Sequence, residues 1–440
     1  MKQSRNNIII RKDSNEYIVA NTRTRSVIEL NDSAFREFSN GDINKLQELS
    51  KENFQQLIEM GFLIPENLNE DNLLDYLLQK ERLNNNTLLT YLMYSTACNF
   101  ACQYCYERGE HIKIESMSEE TIKQLIGWYK YKIEHGRYKE CRIVLFGGEP
   151  LLFPEFFRDF LKEIGIVAKT KGVELITEIT TNGYLLSEEI IETFLPFNLK
   201  NIHITLDGAP ETHNALRPLK GENDSNTFDV ILKNILNISN LYPNIELVCR
   251  ISFNKSNVNS IPELLDILHE KDPQHKIYSY FAHTTQTYSQ ISQETSFCSQ
   301  NVYSDDIELA DCYIYLWKEA KKRGFEIPSF ITLGPCMFFS ANGFVITPQG
   351  DLYKCLDMVG VKDRSIGNVS FPIYYTTDYY KLVMTEKIKS CLQTDCPFIP
   401  ICGSGCVIEP WLKYNDYNKI CCKRNMLEKI HNTLLIEKFK

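Results

Sequence analysis

Three cysteines, Cys98, Cys102 and Cys105, stand within eight positions of one another, separated by three and then two residues. Thiols this close on one stretch can converge as thiolates on a soft metal centre. A structural zinc or a complete iron–sulfur cluster normally takes four ligands, and the next cysteine or histidine along the chain is His111. Three thiolates on a four-iron cube would leave one iron with an open position, and chemistry can be done at an open position. The plain alternative is three buried or free thiols, but clustering this tight is hard to explain without a ligand.

A second cysteine field lies near the other end of the chain: Cys336, Cys355, Cys391, Cys396, Cys402, Cys406 and the adjacent pair Cys421 and Cys422. Phe344–Thr347 and Leu352–Lys354, joined by Pro348-Gln349-Gly350-Asp351, read as a β-hairpin that ends on Cys355. Zinc in tetrahedral thiolate sites is one reading of the field and iron–sulfur the other. Cys141 and Cys249 each fall inside a strand pattern and read as ordinary buried thiols, while Cys298 and Cys312 have no ligand spacing.

The elements that must position these residues follow a simple alternation. Strands are expected at 87–95, 140–146, 173–181, 201–206, 245–253 and 277–282, with amphipathic helices between them, such as the face formed by Ile122, Leu125, Ile126, Tyr129 and Ile133. Alternating strands and helices imply a parallel sheet with right-handed crossovers. Six such units make an α/β partial (β/α)6 TIM-like barrel, whose active site belongs at the carboxyl ends of the strands. Polar residues fall there in every unit: the cysteine loop after the first, Gly147-Gly148-Glu149 after the second, Thr181-Asn182 after the third and Asp207 after the fourth. Arg250 and Asn254 mark the fifth, and His283 the sixth. Paired glycines allow close backbone approach, and Glu149 can accept hydrogen bonds from an ammonium. Arg250 reads equally as a surface ion pair or as a carboxylate clamp.

Residues 7–31 read as three short strands, followed by helices at Asp32–Phe38 and Lys51–Met60. The expected organisation is a small N-terminal α+β domain at 1–66, a helical linker at 67–86, the partial barrel at 87–324, a cysteine-rich domain at 325–425 and a C-terminal helix at 426–440. Net charge of −9 argues against nucleic acid as the main partner. No apolar run is long enough for a membrane span, and the N-terminus lacks a signal peptide's apolar core, so a cytoplasmic location is expected. In that compartment a chain with 15 cysteines is better explained by metal than by disulfides.

Cys98-x3-Cys102-x2-Cys105, with Tyr104 before the last cysteine, resembles the cluster loop of radical S-adenosylmethionine (radical SAM) enzymes. The resemblance implies a 4Fe–4S cluster on the three cysteines, with S-adenosylmethionine chelated by the fourth iron. Reduction would then give a 5′-deoxyadenosyl radical that takes hydrogen from substrate. Gly147-Gly148-Glu149 is similar to the family's motif for the cosubstrate's amino group. By the same likeness Thr181, Asn182 and Asp207 lie near the ribose or the substrate, and His213 and Arg217 resemble a polar segment that can touch substrate. The C-terminal field resembles the SPASM extension of peptide-modifying members. Family wiring would place Cys336, Cys355 and Cys406 on one auxiliary 4Fe–4S cluster, with Cys391, Cys396, Cys402 and either Cys421 or Cys422 on another. The chain departs from the pattern in having four residues between Cys391 and Cys396, and Asn342 where some relatives carry a fourth ligand for the first set.

The resemblance runs from near Thr87 to near Lys423 and implies a maturase of a ribosomally made peptide, forming a thioether or related crosslink. A flavodoxin- or ferredoxin-type reductant is implied with it. The N-terminal unit resembles a peptide-recognition domain in which a leader peptide adds a strand to the sheet edge; a plain cap on the next domain fits the composition equally well. An anaerobic sulfatase-maturating enzyme is the second reading, with Asp357 as candidate base. Relatives of that kind carry Asp directly after the cysteine, whereas here Leu356 intervenes. A non-catalytic metal-binding adaptor is the third.

Overall fold

The computed structural model describes residues 1–39, 51–105, 107, 113–222, 225–285, 297–334, 336 and 340–440. His111 lies outside the described residues. The chain forms two compact units, one of residues 1–82, 304–337 and 384–440 and the other of residues 83–303 and 338–383. Compactness therefore cuts the chain differently from the linear segments expected above.

In the first unit β1 (Lys2–Gln3) pairs with β5 (Leu63–Ile64), and β2 (Asn7–Arg11), β3 (Glu16–Asn21) and β4 (Ser26–Asn31) form an antiparallel sheet in that order. The period-two alternation decides what each face buries. Ile8, Ile10, Ile18 and Ala20 pack with Phe398, Ile401, Leu427 and Leu435, so the N-terminal sheet shares its core with the C-terminal segment. Val19, on the opposite face, meets Phe38, Phe62 and Leu63. Each large side chain buried in this way contributes about 1.5–3 kcal/mol. The helix Glu70–Arg82 is tied to the N-terminus by Glu70, which accepts from the Ser4 hydroxyl at 2.6 Å and the Arg5 backbone N–H at 2.7 Å.

The second unit is built on a nine-stranded sheet. β6 (Thr87–Met93), β7 (Glu140–Phe146), β8 (Glu174–Thr181), β9 (Leu199–Leu206), β10 (Glu246–Phe253) and β11 (Tyr278–His283) are parallel and adjacent in chain order, as a partial barrel requires. Helices including Glu119–His135 and Pro154–Thr170 separate the strands in sequence. The Thr90 hydroxyl meets the Tyr129 hydroxyl at 2.6 Å, which identifies the helix-covered face. The opposite face carries Arg142, Glu178, Asn201, His203, Thr205, Arg250 and Tyr280 beside the apolar Val144, Ile176 and Val248, with an ion pair between Arg142 and Glu178. A closed barrel fills this space with branched apolar side chains; here charged and polar side chains stand among them.

The expected hairpin forms as β12 (Gly343–Ile346) and β13 (Asp351–Tyr353), followed by β14 (Gly367–Asn368). β12 adds in parallel to β6, so the hairpin extends the barrel sheet at its first strand. Cys141 and Cys249 are fully buried within their strands, as expected.

Candidate metal and cofactor site

The cysteine loop leaves β6 and is held along two sides. On one side Gly148 N–H donates to Ser95 O at 3.1 Å and Glu149 N–H to Ala97 O at 2.9 Å. A Cβ on Gly147 would lie 2.5 Å from Ser95 O, and one on Gly148 2.3 Å from Ala97 O, with Gly147 at φ +134°. The glycines are thus required where the end of β7 seats the loop backbone. On the other side Ala101 N–H donates to Pro218 O at 2.8 Å, Gln103 N–H to Leu216 O at 3.0 Å, and Lys220 N–H to Asn99 O at 2.7 Å.

The three thiols lie within electrostatic reach of one another. Burial pushes Cys98 and Cys105 up to about 12; Cys98 also feels the charges of Glu149 and Cys102, and Cys105 those of Glu107, Cys102 and Cys98. Buried thiols of this kind need a cation to give up their protons, and a metal centre supplies one. Phe100 N–H donates to Cys98 Sγ at 3.3 Å, and Asn182 Nδ2 stands 3.9 Å from the same sulfur. Such donors stabilise a thiolate and tune a cluster bound to it. Among the described residues no three Cys, His, Asp or Glu side chains are gathered tightly enough to hold a single metal ion. In a cube each thiolate takes a different iron, which asks for wider spacing than one ion does.

Glu149 is buried beneath the loop. Its carboxylate accepts from Leu151 N–H at 3.0 Å, the Thr181 hydroxyl at 2.7 Å and Asn182 N–H at 2.8 Å. Burial raises it above the usual carboxylate range, and these donors oppose the rise. Three bonds leave one of about four acceptor directions for an ammonium. Asn182 also donates to Asn99 Oδ1 at 2.7 Å, so Thr181 and Asn182 join the acid to the cluster loop.

Asp207 is fully buried, and Asn257 fixes its backbone, donating to Asp207 O at 2.8 Å. Its Oδ2 accepts from the Tyr104 hydroxyl, while Oδ1 has no hydrogen-bond partner among the described residues. A buried acceptor left open in this way is a place for a hydroxyl-bearing ligand such as a ribose. His213 Nδ1 accepts from Asp207 N–H at 3.2 Å; burial, then Arg217, hold this imidazole well below its usual range, so it is neutral. The Tyr104 hydroxyl, Asn99 and Asn257 were not singled out from sequence. Only the aromatic character of Tyr104 within the motif hinted at any of them.

Arg250 is exposed on the polar inner face and, among the described residues, makes no ion pair. Asp357 follows Cys355 in the short 3-10 turn Leu356–Met358. Burial raises its carboxyl, and Arg250 opposes the rise. Asn342 cannot turn towards a metal in this arrangement. Its Oδ1 accepts from the Tyr138 hydroxyl at 2.8 Å and Lys132 Nζ at 3.4 Å, and its Nδ2 donates to Asn85 Oδ1 at 2.9 Å.

In the first unit the later cysteines separate. Cys391 and Cys396 border the apolar cluster of Leu74, Ile388 and Ile399. Burial pushes Cys391 up to about 11, with Cys422 and Cys396 adding to it; Cys402 is likewise pushed up to about 11 by burial, then by Cys391, Cys396 and Cys422. Cys421 instead answers to burial, Glu409, Lys423, Lys387 and Lys413. Cys336 and Cys406 belong to this unit, and Cys355 to the other.

The described structure is thus a partial parallel barrel with three thiols on the loop that follows its first strand. Residues 92–268 match the Radical SAM superfamily, and the chain carries a radical SAM domain. It is 30% identical over 175 residues to the Fe-coproporphyrin III synthase of Methanosarcina barkeri, a match covering 40% of this chain and 39% of that protein. The chain thus spans about two fifths of the curated relatives it matches first. The fold is similar to that of anSMEcpe with bound AdoMet and Kp18Cys peptide, at TM-score 0.60 and 17% identity, over 80% of this chain and 98% of the other. It is also similar to Streptococcus suis SuiB bound to precursor peptide SuiA, at TM-score 0.52 and 16% identity, over 97% and 99% of the two chains. Among the described residues no helix is long and apolar enough to cross a membrane.

Proposed function

We propose that the chain is a radical SAM peptide maturase that takes hydrogen from a ribosomally made peptide and forms a thioether or related crosslink. The observation that carries this reading is the seating of Cys98, Cys102 and Cys105 against Gly147, Gly148 and Glu149 on a domain of that superfamily. When bound, a 4Fe–4S cluster and S-adenosylmethionine supply one-electron cleavage of the sulfonium and, through it, hydrogen abstraction. The chain's own residues do the rest. Cys98, Cys102 and Cys105 hold the cluster, Phe100 N–H stabilises the Cys98 sulfur, and Glu149 accepts the cosubstrate's ammonium. Gly147 and Gly148 keep the loop in place for this, with Thr181 and Asn182 orienting the acid. Asp207 Oδ1 accepts from the ribose, and Arg250 holds a carboxylate at the inner face.

Cys391, Cys396, Cys402 and Cys422 form an auxiliary set, and Cys422 is preferred to Cys421 because its charge is the one felt by Cys391 and Cys402. Cys336, Cys355 and Cys406 are assigned to another set from the sequence pattern alone. The engagement of Asn342 favours a first set without a fourth ligand from that position, where a substrate thiolate would bind. A flavodoxin- or ferredoxin-type protein would deliver electrons.

Peptide is the favoured substrate because SuiB, which shares the fold over 97% of this chain, was solved with a precursor peptide. Among the described residues β2 and β4 are the edges of their three-stranded sheet, and such an edge suits a leader strand. Sulfatase maturation is the second reading, supported by the anSMEcpe likeness and by Asp357, whose raised carboxyl suits a base. Anoxic, reduced protein should convert S-adenosylmethionine to 5′-deoxyadenosine, and the Cys98→Ala, Cys102→Ala, Cys105→Ala triple variant should not. Retained conversion in that variant, or none in the wild type, overturns the proposal.

A further inference from the structure

The segment after the helix Pro210–Leu216 does more than border the cluster loop. Phe100 forms an isolated antiparallel bridge with Leu219, and the backbone bonds from Ala101, Gln103 and Lys220 zip residues 99–103 to residues 216–220. Arg217 lies inside this zipper with its side chain 7% exposed. Its Nη1 donates to the Tyr104 hydroxyl at 3.1 Å and stands 3.6 Å from Asp207 Oδ2, while its guanidinium carbon lies 5.7 Å from the centre of the Phe100 ring. Tyr104 and Phe100 are both loop residues, one on each side of Cys102. A planar guanidinium that bonds one ring's hydroxyl and covers another ring's face is a geometry that lysine does not reproduce. Asp207, fully buried, gives the cation its counter-charge, and burial of such a pair is tolerated only with bonds of this kind. Among the neighbours that act on Arg217 is the Cys102 thiol, so the guanidinium charge reaches that ligand position.

Resting on the radical SAM reading above, we propose that Arg217, held by Asp207, is a positioning residue for the cluster: it clamps Tyr104 and Phe100 so that Cys102 and Cys105 face one metal centre, and its positive charge raises that centre's reduction potential. A cluster ligated by three thiolates is more easily reduced when a fixed cation stands beside it. Nothing in this role requires Arg217 to touch substrate.

The test is an anoxic redox titration of the holoenzyme followed by electron paramagnetic resonance, with chelator-driven iron release measured in parallel. The wild type and the Cys98→Ala, Cys102→Ala, Cys105→Ala variant identify the loop cluster's signal; without a difference between them, the underlying reading fails rather than this inference. Arg217→Gln should shift that signal's midpoint to a lower potential, with Arg217→Lys in between, while the auxiliary signals stay in place. Tyr104→Phe keeps the ring and the Arg217 and Asp207 charges but removes the hydroxyl's bonds to both, and should release iron from the loop cluster about tenfold faster or more, as expected for lost buried hydrogen bonds. A wild-type midpoint in Arg217→Gln overturns the charge role. Should that variant not fold, wild-type iron release in Tyr104→Phe overturns the clamp.

Discussion

Glu149 Oε1 accepts the Thr181 hydroxyl at 2.7 Å, so the carboxyl ends of neighbouring strands β7 and β8 share one buried acid. The acid faces the loop from a fixed position, and in the proposed function its remaining acceptor direction is the one offered to an ammonium. Glu149→Gln removes the charge at nearly constant volume and leaves one amide facing N–H donors. The expected outcome is S-adenosylmethionine binding weaker by about tenfold or more, since a bond to a charged group contributes about 1.5–3 kcal/mol. Iron per chain should hardly change. Equilibrium dialysis of the anoxic protein measures both, and wild-type affinity would remove Glu149 from the binding site.

Lys387 is 1% exposed, and its Nζ donates to Cys406 O. Burial lowers its pKa, while Cys406, Cys421, Cys391 and Cys402 oppose that fall. A buried ammonium is tolerated where hydrogen bonds and nearby negative charge offset its desolvation, and cluster-bound thiolates would supply such charge. Lys387→Met keeps the length and removes the cation. Auxiliary-cluster midpoints should move to lower potential in redox titrations, with the loop cluster unmoved; unchanged auxiliary midpoints would show the lysine to be only a backbone tie.

His431 fixes the sign of one pH effect. Its Nδ1–H donates to Leu427 O at 2.7 Å and its Nε2 accepts from Ile331 N–H at 3.1 Å, an arrangement that only the neutral ring can make. Burial holds its pKa down to about 4, against the usual 6.5. The unfolded chain therefore binds the proton first as pH falls. Stability is full above about 6.5 and declines towards about 4 by an amount on the order of 3 kcal/mol. His431→Asn, which can keep one donor and one acceptor, should flatten this part of the profile. Anoxic thermal melts at pH 5 and pH 7 compare the two proteins, and parallel declines would refute the assignment.

The N-terminal sheet calls for a gentler test than deletion. Ile8, Ile10, Ile18 and Ala20 pack on Phe398, Ile401, Leu427 and Leu435, so removing residues 1–66 would expose the C-terminal core and unfold its surroundings. Proline at Val27 and proline at Ile28, made separately, distinguish the two sides of edge strand β4, because successive N–H groups of a strand point to opposite sides. The variant whose lost N–H faces away from β3 should fold normally and lose precursor-peptide binding by about tenfold or more, read by fluorescence anisotropy with a labelled precursor. Unchanged binding in both folded variants rules out strand addition at β4.

The six barrel strands were legible in the sequence to within two residues at each end, because β-branched and aromatic runs bounded by Gly, Asn and Asp carry a local signal. The hairpin before Cys355 was legible for the same reason. Its attachment to β6 was not, nor was the packing of Ile8 and Ile10 on Leu427 and Leu435, since contacts between distant segments leave no period in either one. Within the candidate site the cysteine spacing and Glu149 stood out. The partnership of Tyr104, Asp207 and Arg217 did not, because it depends on a helix turning the chain back beneath the loop.

The central claim is an iron corner that no side chain occupies, on a cluster held by Cys98, Cys102 and Cys105. Electron paramagnetic resonance of the anoxic, reduced protein before and after addition of S-adenosylmethionine tests it most directly. The account predicts that one signal changes shape on addition and that this signal is missing from the Cys98→Ala, Cys102→Ala, Cys105→Ala variant. A spectrum indifferent to S-adenosylmethionine, with every cluster already carrying four protein ligands, would contradict it.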